Sequence, residues 1–110
     1  DIPVQAVKLA IERTVPVTCR LKKPNDILIE GKKVCGILTE SSTSGGASPY
    51  VIVGIGVNVN STRASLTRGA VSLREYAGKR LNREKLLKMI LSEFGEAYSA
   101  GMRNNKQRKK

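Results

Sequence analysis

A lysine, an aspartate and an asparagine stand at the ends of short apolar segments, where side chains can converge on a ligand. Asp26 begins the segment DILIE, Lys33 follows the turn at 30–32, and Asn58 ends a run of β-branched residues. Because a hairpin brings the start of its second strand back towards its first strand, we expect Lys33 and Asp26 to lie close together. Such a cluster suits a charged ligand. Ordinary solvent-exposed turn residues are the alternative interpretation of the same pattern.

Two glycines interrupt the apolar run YVIVGIGVNV at 50–59. Gly54 and Gly56 are separated by Ile55, and the β-branched pattern continues after them. Glycine inside a strand costs stability, and it marks either a bulge or the close approach of a ligand or another backbone. For this segment taken alone, a bulged core strand followed by turn asparagines is the simpler interpretation.

Several other site chemistries are excluded by residue counts. The chain has no histidine, and Cys19 and Cys35 are its only cysteines. A Ser-His-Asp triad and a Cys/His zinc site therefore cannot form. Two buried thiols in a reducing cytoplasm are the favoured interpretation, with a disulfide as the alternative. The segment GIGVNV lacks the third glycine of a dinucleotide-binding fingerprint, and no Walker-type phosphate loop is present.

The composition is that of a globular protein with one modest core. Apolar residues make up 40% and charged residues 26% of the 110 residues. No run approaches the roughly 18 apolar residues that cross a membrane. The N-terminal segment begins with an acid and resembles no signal peptide. It also lacks an initiator methionine, so we expect the chain to be a piece of a longer protein.

The net charge of +11 invites a nucleic-acid-binding interpretation. The charge is concentrated, however, in the segment GMRNNKQRKK at 101–110, which contains no acid and is predicted to be a disordered tail. The side chains that would stack on bases are few, with one Phe, three Tyr and no Trp. Nucleic-acid binding through this segment is therefore the weaker hypothesis.

The periodicity of apolar residues predicts a mixed chain. The first segment, 2–13, has helical spacing and is stopped by Pro16. Pro24, Asn25 and Asp26 are typical of a turn. A flexible connector is predicted at 41–49. Strands are predicted at 17–21, 27–29, 33–39 and 50–59.

The last third of the sequence is predicted to be helical. Ser72 and Glu75 match a capping box, and Gly78 ends the short helix that they begin. Asn82 caps a longer helix that should cover the sheet with one apolar face. The residues of that face are Leu86, Met89, Ile90, Phe94, Ala97 and Tyr98, widened by Leu87 and Leu91.

Three of these motifs in this order closely resemble the catalytic domain of the biotin protein ligases. That family shows Lys-Trp-Pro-Asn-Asp, then Gly-Arg/Lys-Lys-x-x-Gly-Ile-Leu-x-Glu, then Gly-x-Gly-x-Asn-x-Asn. The corresponding segments here are 22–26, 31–40 and 54–60. The resemblance runs from about residue 2 to about residue 100. It implies an α+β fold, with a mainly antiparallel sheet packed against helices as in class II aminoacyl-tRNA synthetases.

The sequence departs from the family in two ways. Lys23 stands where the family has tryptophan, so a charged side chain replaces a large apolar one. The family also carries a Gly/Arg-rich loop that would precede residue 1, and commonly a small C-terminal β-domain. We therefore expect 1–100 to be an incomplete catalytic domain, inactive alone, and 101–110 to be the tail.

The resemblance also implies a reaction. Family members join biotin to ATP in the presence of Mg²⁺, form biotinyl-5′-AMP, and transfer biotin to a lysine of a biotin carboxyl carrier protein. The carrier belongs to acetyl-CoA carboxylase or a related carboxylase. A homodimer is left open, and no membrane contact is implied. A lipoate or octanoyl ligase or transferase of the same fold is the alternative enzyme.

Roles for individual residues follow from the same resemblance. Lys33 and Asp26 would be catalytic. Asn25 and Asn58 would contact the nucleotide, and no residue would hold a metal. The residues implied to contact biotin are Lys33, Gly36, Ile37, Gly54 and Gly56.

Overall fold

The computed structural model describes residues 2–42 and 50–108. It contains three helices and four strands in these ranges: α1 Ile2–Thr14, β1 Cys19–Lys22, β2 Asp26–Ile29, β3 Lys32–Ser42, β4 Tyr50–Val57, α2 Leu73–Ala77 and α3 Arg83–Arg108. Each predicted element is present, and apart from the C-terminal end of α3 the predicted and observed ends of the first helix and the strands agree within three residues. The predicted connector begins later than expected, because β3 continues to Ser42, and 43–49 lie outside the described residues.

The four strands form one antiparallel sheet in the order β1-β2-β3-β4. Each strand pairs with the next in the sequence, so the sheet is a meander built from successive hairpins. The α+β class with a mainly antiparallel sheet is therefore confirmed. Because consecutive strands pair, the two motif-bearing strands β3 and β4 lie side by side over most of their length.

The core lies on one face of this sheet. The largest fully buried side chains include Ile11 from α1, Ile27 and Ile29 from β2, Val34 from β3 and Leu73 from α2. Leu86 and Ile90 of α3 belong to the same cluster, and α1 packs against α3. Burying each large aliphatic side chain stabilises the fold by about 1.5–3 kcal/mol. The opposite face of the sheet is left uncovered by these helices.

The apolar face predicted for α3 is wider than the buried one. Leu87 is 54% exposed, Leu91 is 61% exposed and Tyr98 is 56% exposed. Leu87 and Leu91 lie outside the stripe at i, i+3 and i+4 that a helix buries against one neighbour. Tyr98 is at the spacing of that stripe, but it lies two turns beyond Ile90, the last residue of α3 in the core cluster. They were wrongly assigned to the core.

The helix ends follow the predicted capping residues. The carboxylate Oε2 of Glu75 accepts the backbone N–H of Ser72 at 3.0 Å. Gly78 has a φ of 72° in the left-handed region, and its N–H donates to the carbonyl of Arg74 at 2.9 Å. Asn82 Oδ1 accepts the N–H of Lys85 at 3.1 Å. All three predicted caps are confirmed.

The long helix α3 continues to Arg108, where the sequence predicted a disordered tail from residue 101. No proline follows Asn82, and Met, Arg, Lys and Gln are strong helix formers, so the helix propagates through Gly101. Residues 109–110 lie outside the described range. The charge of the segment does not by itself prevent a helix.

Both cysteines are free and buried, as predicted. Cys19 is 3% exposed and Cys35 is 1% exposed. Burial, with a smaller effect of the nearby Glu12 charge, raises the pKa of the Cys19 thiol to about 11. Burial raises the pKa of the Cys35 thiol to about 12. Both side chains act as small apolar core residues.

We therefore expect both thiols of the folded chain to react very slowly with a disulfide reagent at pH 8. Raised pKa values and burial should lower the rate by about two orders of magnitude or more relative to a free cysteine. The measurement is the release of thionitrobenzoate from Ellman's reagent, with the guanidinium-unfolded chain as control. Rapid modification of one thiol in the folded chain would contradict the buried arrangement.

Candidate functional site

Lys33 and Asp26 form an ion pair on the uncovered face of the sheet. Lys33 Nζ lies 3.3 Å from Asp26 Oδ1, and the two side chains are 51% and 30% exposed. The hairpin of β2 and β3 brings them together, so their predicted proximity is confirmed. The pair is open to a ligand, because half of the lysine side chain is still in contact with solvent.

A β-bulge puts Lys33 on this face. In the β2–β3 register Ile27 pairs with Cys35 and Leu28 pairs with Lys33, so Val34 is an extra residue on β3. Side chains alternate between the faces of a strand, and an unbroken strand would place Lys33 on the core face with Cys35. The extra residue reverses the alternation, and Val34 itself is fully buried. The lysine therefore points away from the core.

Three glycines form a floor beside the ion pair, and we call Gly36, Gly54 and Gly56 the glycine floor. Gly36 pairs with both Asp26 and Gly56 across the sheet, and Gly54 pairs with Leu38. Register partners and residues two apart share a face, so all three lie on the face that carries Asp26. A flat, side-chain-free surface therefore adjoins the lysine ammonium.

The glycines of the floor differ in what a side chain at each position would contact. A Cβ on Gly36 would lie 3.2 Å from Lys33 Cε and 3.3 Å from Lys33 Nζ, so Gly36 leaves room for the lysine side chain. A Cβ on Gly54 would meet only Leu38, at 3.8 Å or more, which is ordinary van der Waals contact. The chain's own packing does not require glycine at position 54. The space above it is available to another molecule.

The backbone of Lys33 is held by a segment that is distant in sequence. Its N–H donates to the carbonyl of Gly69 at 2.8 Å, and its carbonyl accepts the N–H of Val71 at 2.9 Å. These bonds make a parallel bridge to Ala70. Because β4 ends at Val57, the 69–71 segment takes the place of β4 beside the first residues of β3. No local pattern in the sequence marks this segment, so its contact with Lys33 was not predicted.

The asparagines implied to contact a nucleotide have structural hydrogen bonds. Asn58 Nδ2 donates to the carbonyl of Val71 at 3.3 Å, and its backbone N–H donates to the carbonyl of Val34 at 2.9 Å. The carbonyl of Asn25 accepts the N–H of Ile37 at 2.9 Å. These contacts place Asn58 next to the residues that hold Lys33, and its nucleotide contact stays a prediction.

Ile37 and Asn60 have structural roles that the sequence did not predict. The side chain of Ile37 is 6% exposed and belongs to the core cluster, so it does not line the glycine floor. Asn60, the last residue of the 54–60 motif, was assigned no contact with a substrate, and it donates from Nδ2 to the carbonyl of Leu81 at 2.8 Å. Its Oδ1 accepts the N–H of Leu81 at 2.7 Å. This pair of bonds attaches the segment after β4 to the start of α3.

The uncovered face is positively charged around the ion pair. Lys22 pairs with Asp26 and Arg20 pairs with Leu28 in the β1–β2 register, so both cations share the face of Lys33. Lys23 is exposed in the turn that follows. Coulomb attraction at this face favours an anionic ligand such as a carboxylate or a phosphate.

The described residues provide neither a metal site nor a membrane span. Across 2–42 and 50–108, no group of three or more His, Cys, Asp or Glu side chains is arranged to hold a metal ion. No helix in the described ranges is long and apolar enough to cross a membrane.

Comparison with known proteins gives consistent matches. The model of the biotin/lipoate A/B protein ligase family matches residues 5–58. The bifunctional ligase/repressor BirA of Bacillus subtilis is 37% identical over 113 residues, which cover 89% of this chain and 35% of BirA. The biotin–[acetyl-CoA-carboxylase] ligase of Mycobacterium tuberculosis is 32% identical, over 86% of this chain and 39% of the relative.

Solved structures agree in fold. The apo biotin protein ligase of Aquifex aeolicus superposes with a TM-score of 0.75 at 32% identity, over 89% of this chain and 43% of that one. The same enzyme in complex with biotin and ATP gives a TM-score of 0.69 at 31% identity, over 86% of this chain and 41% of that one. The chain thus spans well under half the length of the relatives that it matches. With three ordered motifs and the fold in agreement, the chain belongs to the biotin/lipoate A/B protein ligase family.

Proposed function

We propose that these residues form part of a site that activates biotin with ATP and transfers it to a carrier protein. The observation that carries the proposal is the Lys33 ammonium, held beside Asp26 at the edge of the glycine floor. A cation next to a flat, side-chain-free surface suits a ligand with a carboxylate at one end and a ring system at the other. The Aquifex aeolicus relative in complex with biotin and ATP supports this choice of ligands.

The first step would join the two substrates. A biotin carboxylate oxygen attacks the α-phosphorus of ATP, pyrophosphate leaves with its Mg²⁺, and biotinyl-5′-AMP remains. Negative charge accumulates between the carboxylate and the phosphate as the new bond forms. The positive charge of Lys33 would stabilise it, because preorganised charge near a developing anion is a large contribution to catalysis.

The second step would transfer the biotinyl group. The neutral ε-amine of a target lysine attacks the acyl carbon, and the bond from that carbon to the phosphate oxygen breaks. AMP leaves with the electrons of the broken bond, the nitrogen loses a proton to solvent, and an amide remains. Asp26 would keep Lys33 in place in both steps, or would orient the incoming amine. No covalent bond to the protein is needed, in agreement with a sequence that offers no nucleophile with a histidine base.

Biotin and ATP would bind to different parts of the uncovered face. Biotin would lie on Gly54 and Gly56 with its carboxylate at Lys33, and the nucleotide would extend towards Asn58 and Asn25. The acceptor would be the carrier domain of acetyl-CoA carboxylase or a related carboxylase, met in the cytoplasm. Mg²⁺ would arrive with the phosphates of ATP, since the described residues offer no cluster for it.

A lipoate or octanoyl ligase is the second candidate, because the matching family model covers both substrate classes. The names of the relatives favour biotin. Competition binding with biotin, lipoate and octanoate would separate the two candidates.

For mutational tests we define the extended protein as this chain joined to the segments by which its relatives are longer. In the extended protein, Lys33→Ala should slow adenylate formation by about two to four orders of magnitude, the range for a lost electrostatic group. Pyrophosphate release measures this step. Lys32→Ala removes the same charge from the neighbouring exposed position and is the matched control. Near-normal turnover of the Lys33 variant would show that Lys33 is only a turn residue.

Substitution at Gly54 should separate binding from folding. A Cβ fits against the chain itself, so Gly54→Ala and Gly54→Val should leave the melting temperature unchanged or raised. Affinity for biotin, measured by calorimetry on the extended protein, should fall from glycine to alanine to valine. The register of β3 and β4 is continuous, so the bulged-core interpretation of the glycines was wrong. If unfolding explained the whole loss of affinity, Gly54 would matter to the strand itself and not to a ligand.

We expect the 110-residue chain alone to bind biotin weakly and to transfer none. Lys33 is half exposed on an open face, whereas a reactive adenylate must be shielded from water. The measurement is transfer of labelled biotin to a carrier domain with ATP and Mg²⁺, with the extended protein as the positive control. Robust transfer by the isolated chain would contradict this expectation.

A further inference from the structure

The position of the Lys33 ammonium depends on where its backbone is held. The side chain is 51% exposed and has one ion pair, with Asp26. A long, partly solvated side chain keeps much of its rotamer freedom, so the placement of its Cα limits where the charge can reach. On one side, the backbone N–H and carbonyl of Lys33 are hydrogen-bonded to the 69–71 segment rather than to β4. Any contact that holds the 69–71 segment in place therefore also holds the backbone of Lys33.

Arg63 fixes that segment from its other side. Arg63 Nη2 donates to the carbonyl of Ala70 at 2.5 Å, and Arg63 Nε lies 3.5 Å from Glu75 Oε1. The second carboxylate oxygen of Glu75 accepts the N–H of Ser72 at the start of α2. Hydrogen bonds from a charged guanidinium are stronger than neutral ones. A continuous series of contacts thus leads from α2 through Glu75, Arg63 and Ala70 to Lys33.

We propose that Arg63 is a positioning residue for Lys33, acting through the carbonyl of Ala70 and the backbone bridge. The inference rests on the proposed function of Lys33 and assigns Arg63 no contact with substrate. Arg63 sets the register of the 69–71 segment against β3, and the bridge carries that register to the lysine backbone. Without the guanidinium, the backbone hydrogen bonds between Lys33 and the 69–71 segment would be broken for part of the time.

A purely structural arginine would stabilise the loop without affecting Lys33 in particular. The two roles differ in their dependence on Lys33, because residues that act through one another have non-additive effects. Arg68 provides the matched control, since it is exposed on the same loop and Arg68→Met removes the same charge.

The first measurement is amide hydrogen exchange on the 110-residue chain, which requires no activity. Arg63→Met should speed exchange at the N–H groups of Lys33 and Val71 by about tenfold, the effect of losing one charge-assisted hydrogen bond. Arg68→Met should leave both rates unchanged, and Arg63→Lys should restore part of the protection. Unchanged exchange in Arg63→Met would overturn the proposal.

The second measurement is adenylate formation by the extended protein. Arg63→Met should lower kcat by about tenfold with little change in the KM for biotin, and it should have no further effect in a Lys33→Ala background. An equal loss in both backgrounds would overturn the proposal. A fully active Lys33→Ala variant would instead refute the proposed function, and hydrogen exchange would still decide whether Arg63 holds the lysine backbone.

Discussion

The site depends on one extra residue in β3. Val34 is inserted in β3 opposite the junction of Ile27 and Leu28 on β2. It interrupts the alternation of side chains along β3, and it is itself buried. Because of that interruption, the strand contributes Cys35 to the core and Lys33 to the opposite face. A lysine on the core face would face an apolar cluster and incur a large desolvation cost. The bulge thus allows one strand to complete the core and to present a cation to a ligand.

The glycine floor shows that one residue type meets two separate constraints. Gly36 is constrained from within, because a side chain there would displace the lysine that pairs with Asp26. Gly54 is free of such a constraint, so its lack of a side chain matters only to a molecule that lies on the sheet. The lysine side chain and a ligand would therefore occupy adjacent parts of one surface. Both glycines look the same in a sequence motif, and only the distances to neighbouring atoms distinguish their roles.

Local features were predictable from the sequence, and features that join distant segments were not. The caps at Ser72 and Asn82 and the β2–β3 hairpin depend on residues a few positions apart, so their patterns are visible in the sequence. The adjacent apolar pair Val34 and Cys35 could have indicated the bulge, since it breaks the period of two. The bonds from Lys33 to the 69–71 segment join residues about 36 positions apart, and no periodicity reports such a contact. The exposure of Leu91 has the same cause, because a stripe of apolar residues does not show how much of it a neighbour covers.

The meander has a consequence for the order in which the chain folds. Lys33 and Asp26 meet when a hairpin of fewer than ten residues closes, which costs little loop entropy. The bridge between Lys33 and the 69–71 segment closes a much longer loop, which costs more loop entropy. The ion pair can therefore exist before its backbone support does, and local opening of that support would loosen the lysine while the sheet stays intact.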